Sequence, residues 1–323
     1  MRLGILGTFV WDTIWTLADV REGRAFTSWG GVAYALAAAS AARPEGWEVV
    51  PVVKVGADLA EEARGFVRGL PGVDGDSGWV VVPEPNNRVE LRYTDDARRG
   101  ERLTGGVQAW EWEELAPRVE GLDALYVNFL SGFEMGLETA EALRGGFDGP
   151  IYADLHSLFL GCPGAGVRQM RSLPEWERWV RCFDAVQVNE EELRMLLGGG
   201  ACVDAVDGAA RVAAEGPRLV LVTRGAEGAT YARSPDLPDH PLRWRESSHD
   251  GIPPARATIP PAARITGGDP TGAGDVWGAT LFCRLLAGTS LDAAIEDAHA
   301  AAARKLTHRG ATGLLPHLSA SPA

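Results

Sequence analysis

Short apolar runs alternate with stretches of helical periodicity along the first two thirds of the chain, and this alternation limits the fold to a mostly parallel sheet with helices on its faces. The strand-like runs are "LGILGTF", "WEVVPVVKVG", "ALYVNFL", "PIYADL", "DAVQVN" and "RLVLVTRG". Between them lie "GGVAYALAAASAA", "DLAEEARGFVRGL", Met135 to Gly146, "WERWVRCF", "EEELRMLLGG" and "VDAVDGAARVAAEG". Helices with this much alanine and glycine can approach a sheet closely. The first strand reads as ending in a glycine turn at "GTF".

Two stretches depart from the alternation. Thr13 to Trp29 reads as a hairpin with the polar tip "DVREGR", and "RVELRYT" alternates like an antiparallel strand with one wet face. We therefore expect a single α/β domain over residues 1–323 with a small separate β-sheet assembled from about 13–29 and 78–106. The proline-rich stretch from Ser234 to Ala263 reads as edge strands and loops. The tail "SASPA" reads as frayed.

With 323 residues the chain can bury a large core, and 46% hydrophobic with 23% charged residues describes a globular protein. A net charge of −13 gives no electrostatic footprint for nucleic acid or an anionic membrane surface. Of the 31 basic residues only Lys54 and Lys305 are lysines. The four cysteines contain no C-x-x-C pair, which disfavours a zinc site and a disulfide framework. No signal-peptide pattern or membrane span is visible, so the expected compartment is the cytoplasm.

"GDPTGAGD", from Gly268 to Asp275, precedes the helix-like run "VWGATLFCRLL". Small residues at a helix N-terminus leave backbone N–H groups uncovered, and with the helix dipole these attract a phosphate or a developing oxyanion. Asp275 at the same turn can take a proton from an attacking hydroxyl. The stretch equally fits a tightly packed helix entry capped by Asp275. A P-loop lysine, the protein-kinase "HRD" and "DFG" motifs and a G-x-G-x-x-G fingerprint are all missing.

"DPTGAGD" resembles the C-terminal signature of the ribokinase-like, or PfkB, carbohydrate kinases. Further stretches follow in that family's order over essentially the whole chain. The resemblance implies a three-layer α/β sandwich with a β-sheet lid, and an ATP-dependent kinase acting on a hydroxyl of a sugar-like small molecule. Asp275 is then the base, with Gly272, Ala273 and Gly274 as an anion hole. Asp12, Gly30 and Gly31 match the sugar-binding signature, which "KVGAD" closes. "VQVNEEEL" resembles the Asn-x-x-Glu motif, in which Asn189 and Glu192 organise Mg²⁺ through water; an N-cap with an acidic first turn fits the same residues. Thr223, Gly225 and Gly228 match the turn that contacts ATP. His299, in the closing stretch "AHAAAARKLTHRGATGLLP", falls near adenine or packs as an ordinary helical histidine. Asp269 occupies the position linked to K⁺, and also reads as an Asp-Pro turn.

Two departures bear on the acceptor. Tyr34 and Ala35 stand where many relatives place a sugar-binding asparagine, so Tyr34 becomes the candidate contact. "ADLHSLF" matches the family's Asp-x-Asn-x-Arg segment only loosely. Arg92, with Arg88 on the same strand face, is a candidate for an acidic group on the substrate, while Arg98, Arg99 and Arg102 read as a wet tip. A nucleoside acceptor, or a non-catalytic sugar- or nucleotide-binding regulator, is the alternative. The lid sheet, with apolar "TIWTL" and Trp29, is the expected face of a homodimer.

Overall fold

The computed structural model describes residues 1–93, 99–199, 204–246, 254–262, 265 and 267–319. In chain order these form β1 (Arg2–Trp15), α1 (Leu17–Glu22), β2 (Phe26–Gly31), α2 (Val32–Ala42), β3 (Glu48–Gly56), α3 (Ala60–Arg68), β4 (Trp79–Val82), β5 (Arg88–Tyr93) and β6 (Arg99–Thr104). There follow α4 (Trp112–Val119), β7 (Ala124–Asn128), α5 (Leu137–Gly146), β8 (Ile151–Asp154), β9 (Leu160–Gly164), β10 (Val167–Met170), α6 (Trp176–Arg181), β11 (Ala185–Asn189), α7 (Glu190–Leu196) and α8 (Ala205–Ala213). The chain closes with β12 (Leu219–Thr223), β13 (Ala229–Arg233), β14 (Ala255–Ile259), α9 (Ala273–Leu286), α10 (Leu291–Leu306) and α11 (Leu315–Ser319).

The main sheet runs β14-β13-β12-β11-β8-β7-β1-β3-β4. Its pairings are parallel except at one edge, where β13 pairs antiparallel with β12 and β14 antiparallel with β13. Successive side chains alternate between two cores, as strands buried on both faces require. Leu3 and Ile5 join α2, α3, α9, α10 and α11 on one face, whereas Leu6 joins α4 to α8 on the other. The result is the expected three-layer α/β arrangement.

The second sheet runs β2-β1-β5-β6-β10-β9. Its link to the main sheet is β1 itself, which does not stop at a glycine turn but continues for 14 residues. Arg2 to Thr8 pair with β3, and Phe9 to Ile14 pair with β2. Gly7 is a mid-strand position, where a Cβ would come within 3.0 Å of Val32. The hairpin tip is a short helix, α1, whose N-cap Thr16 forms a capping box with Asp19.

The boundaries also differ from expectation. "WVVV" is not in the second sheet: β4 pairs in parallel with β3 at the edge of the main sheet, and Trp79 stacks on Phe9 at 5.5 Å. Its unbroken apolar run suits that place better than a half-wet antiparallel sheet. The second sheet instead gains β9 and β10, which the sequence pattern did not reveal because each has only four or five residues.

Candidate active site

Four neighbouring parallel strands, β7, β8, β11 and β12, end on polar residues: Asn128, Asp154, Asn189 and Thr223. The C-terminal edge of a parallel sheet is where open α/β folds bind ligands. Over this edge stands the N-terminus of α9, carrying Gly272 to Asp275. A cavity of about 1130 Å³ opens beside it, walled by Gly268, Asp269, Ala273, Gly274, Thr223, Gly225, Gly228 and His299. Tyr93 and α1 residues close the opposite wall.

The turn before α9 is held in one shape. Gly272 has φ +80°, and a Cβ there would lie 2.4 Å from the Tyr34 ring, so only glycine fits. Ala273 N–H donates to Pro270 O at 3.1 Å and is spoken for, so of the three expected anion-hole donors only Gly272 and Gly274 remain candidates. Gly274 is exposed to the cavity. From below, Gln187 braces the turn: its Nε2 donates to Gly274 O at 3.1 Å and Asp154 Oδ2 at 3.0 Å, while its Oε1 accepts from Tyr152 OH at 2.8 Å. Asn128 Nδ2 donates to Asp275 Oδ1 at 2.8 Å and aims the carboxylate.

Asp12 lies on the inward face of the second sheet with Val10 and Ile14 and is buried. A Cβ at Gly30 would come 1.8 Å from Asp12 Oδ2, so this glycine yields its side-chain space to the carboxylate. Gly31 follows with φ +61° and starts α2.

Tyr34 is not brought to the cavity. It is 1% exposed, with its ring packed under Gly272 and 5.4 Å from Lys305 Nζ. Position 34 lies on an α2 face turned to α9, and its role is to shape the turn. Arg92 is displaced too: on β5 the inward residues are Val89 and Leu91, whereas Arg92 lies outside over the Trp15 ring at 5.1 Å and pairs with Glu90. Arg88 is bound to Asp58 at 2.6 Å. Arg98 and the Arg99 side chain lie outside the described residues.

Asn189 caps α7 and forms a capping box with Glu192. Both oxygens of the buried Glu192 are engaged: Oε1 by His156 Nδ1 at 2.6 Å and Asn189 Nδ2 at 2.7 Å, Oε2 by Asn189 N at 2.8 Å. Burial opposes protonation of His156, but Glu192, Asp154 and Asp275 together raise its pKa to about 9. Burial, then the charges of Asp275 and Glu192, push Asp154 upward. No group of three or more His, Cys, Asp or Glu among the described residues forms a metal cage. The acidic field of Asp154, Glu192 and Asp275 fits Mg²⁺ arriving hydrated on donor phosphates, the usual habit of this ion.

His299 lines the cavity wall; Nδ1 accepts from Trp277 Nε1 at 3.0 Å and Nε2 faces Ile259 O at 3.0 Å. Those partners fix the neutral tautomer protonated on Nε2, and burial lowers its pKa accordingly. Asp269 does not fit the K⁺ expectation. Its Oδ2 and main-chain O accept from Lys305 Nζ at 3.0 and 2.9 Å, and its Oδ1 accepts from Thr271 N at 3.0 Å. An ammonium already holds the oxygens a monovalent cation would need.

Sequence reasoning missed Asn128, Asp154, His156, Gln187 and Lys305. For Asn128, Asp154 and His156 a signal existed, namely polar residues at or just beyond the ends of apolar strand runs; Gln187 is a polar residue in the middle of the apolar run of β11. Lys305 had none, since its partner lies 36 residues away.

No curated protein matches the chain by sequence. A family model, pfkB family carbohydrate kinase, matches residues 168–318. Among solved structures, a sulfate complex of a pyrophosphate-dependent kinase in the ribokinase family aligns with TM-score 0.74 at 19% identity, covering 96% of each chain. A nucleoside kinase from Burkholderia thailandensis in complex with inosine aligns with TM-score 0.73 at 17% identity, over 98% of this chain and 96% of that one. Ribokinase from Thermotoga maritima aligns with TM-score 0.67 at 18% identity, over 98% and 97%. The fold along the length of the chain is therefore the one these ribokinase-family structures share, and its C-terminal part, residues 168–318, is similar to the pfkB carbohydrate kinases.

Proposed function

We propose that the protein transfers the γ-phosphoryl group of ATP to a hydroxyl of a sugar or sugar-like molecule. The observation that carries this reading is the juxtaposition at α9: Asp275, aimed by Asn128, next to the exposed Gly274 on the wall of the large cavity. Asp275 takes the hydroxyl proton, and the N–H groups of Gly272 and Gly274 receive charge on the transferring phosphoryl group. Asp12 holds acceptor hydroxyls. Mg²⁺, when bound with the donor, neutralises phosphate charge; Glu192 and Asn189 address its waters. The second sheet acts as a lid excluding water, supported by the Tyr93 OH to Thr271 Oγ1 contact of 3.1 Å and the Asp19–Arg309 pair.

ATP rather than pyrophosphate is favoured because the cavity continues past the phosphate end. It runs along Thr223, Gly228, His299, Ala302 and Leu306 into an apolar trough that a pyrophosphate would leave empty. A nucleoside acceptor is the second reading, favoured by the apolar inward face of the lid, where Ile14 and Tyr93 line the cavity. The test is donor consumption with ATP and with pyrophosphate across free sugars, polyols, sugar phosphates, sugar acids and nucleosides. ATP turnover with a sugar or polyol is the expected result; pyrophosphate turnover alone, or none with any acceptor, rejects it.

For the homodimer through the lid, Trp15 and the exposed Val167 and Met170 of the second sheet, with the exposed Leu17 and Val20 of α1, are apolar residues available; Trp11 packs on Trp29 and the main core. Ile14 and Trp29 are core residues and do not contribute.

A further inference from the structure

Lys305 is fully buried near the end of α10, on the far side of the turn that precedes α9. Two of its donors go to Asp269, at 2.9 and 3.0 Å, and the Tyr34 ring lies 5.4 Å from Nζ. Tyr34 is the ring against which Gly272 is packed. The ammonium therefore touches both supports of the anion hole: the carboxylate that shapes residues 269–271 and the ring beneath Gly272. Burial favours loss of its proton, which Asp269, Asp275 and Asp12 oppose.

The residue type matters here. In a chain whose 31 basic residues include only two lysines, a lysine stands at this position. A compact ammonium with three rotatable donors fills a small site lined with oxygens, which a planar guanidinium cannot do. We propose that Lys305 is a built-in monovalent cation, which takes the place at Asp269 that the family resemblance assigns to K⁺ and makes the anion hole independent of added K⁺. This rests on the kinase reading of the α9 site. Lys305 is a positioning residue: it acts through Asp269 and Tyr34 on the turn that carries the donors.

The test compares the full-length protein in KCl, NaCl and choline chloride at equal ionic strength, reading the thermal midpoint and the affinity for a fluorescent ADP analogue with Mg²⁺. Wild type should give affinities agreeing within about twofold across the three salts. Lys305→Ala should lower the midpoint by about 4–8 °C, as breaking a buried pair does. In that variant KCl or ammonium chloride, and not choline, should recover affinity, because the vacated space accepts a small cation. Lys305→Met, which fills the space without charge, should not be rescued. A K⁺-specific gain in wild-type affinity or midpoint overturns the proposal, as does a Lys305→Ala variant that matches wild type in every salt. If neither variant folds, the wild-type salt comparison decides alone. If the analogue does not bind at all, the nucleotide reading fails, and the wild-type midpoints still test the cation.

Discussion

Replacing Gly272 and Gly274 separately by alanine should divide stability from function at the α9 turn. At Gly272 the new side chain meets two costs. The φ of +80° is left-handed, which costs an L-residue about 1–2 kcal/mol, and a Cβ 2.4 Å from the Tyr34 ring forces a core shift worth about 1–3 kcal/mol. The combined loss, about 2–5 kcal/mol, lowers the midpoint by about 3–7 °C in a chain of this length. At Gly274 the nearest neighbour of a Cβ is Gln187 Nε2 at 3.8 Å, so there is room. A helical alanine gains up to about 1 kcal/mol over glycine, but its methyl projects onto the exposed turn where the phosphoryl group must approach. Gly274→Ala should melt at or above the wild-type temperature while losing about tenfold or more in nucleotide affinity or turnover. Calorimetry and titration of a fluorescent ATP analogue read both. A Gly274→Ala protein with wild-type binding and turnover, or a Gly272→Ala protein of unchanged stability, refutes this account of the turn.

Other outcomes follow from the same contacts. Gln187→Ala deletes the brace joining Tyr152, Asp154 and Gly274, and should cost about 2–4 kcal/mol of stability and lower kcat more than it raises KM for ATP. His156 has a folded pKa raised to about 9, so the stability it contributes is complete below its unfolded value near 6.5 and fades as pH rises through about 9. With the imidazole 37% exposed, that contribution is screened to about 1 kcal/mol, and urea unfolding of His156→Gln should lack this alkaline decline. Asp19 is held down to about 2, chiefly by its hydrogen bond to Arg309, so its stabilisation is present above the ordinary aspartate range and is lost as pH falls through about 2. Asp19→Asn should weaken the attachment of α1 to the C-terminal segment and raise KM for ATP severalfold, with kcat less affected.

Local pattern made the layers legible, because apolar strand runs and alanine-rich helices look different even in a single sequence. The α9 turn was legible through its resemblance to a family signature, because Gly-Ala-Gly-Asp before an apolar helix fits a capped helix entry equally well on its own. What stayed hidden depends on register and on distant partners. Whether Arg92 faces inward depends on how β5 aligns with β1, where Arg92 pairs with Trp15 and so takes the outer face. Tyr34 reads as a possible ligand contact until α9 is laid across α2. β1 carries a glycine that punctuates most chains, yet the strand continues because Gly7 answers to Val32 and Leu130 rather than to a turn. Lys305 and Asp269 meet only when α10 returns to the turn before α9.

The central claim, that Asp275 activates the acceptor hydroxyl, is tested most directly by comparing Asp275→Asn with wild type on whichever acceptor the panel identifies, measuring ADP release beside nucleotide affinity. We expect turnover to fall about 10²-fold or more, with affinity for the ATP analogue held within about threefold. Unchanged turnover in Asp275→Asn would contradict the assignment and remove Asp275 as the base.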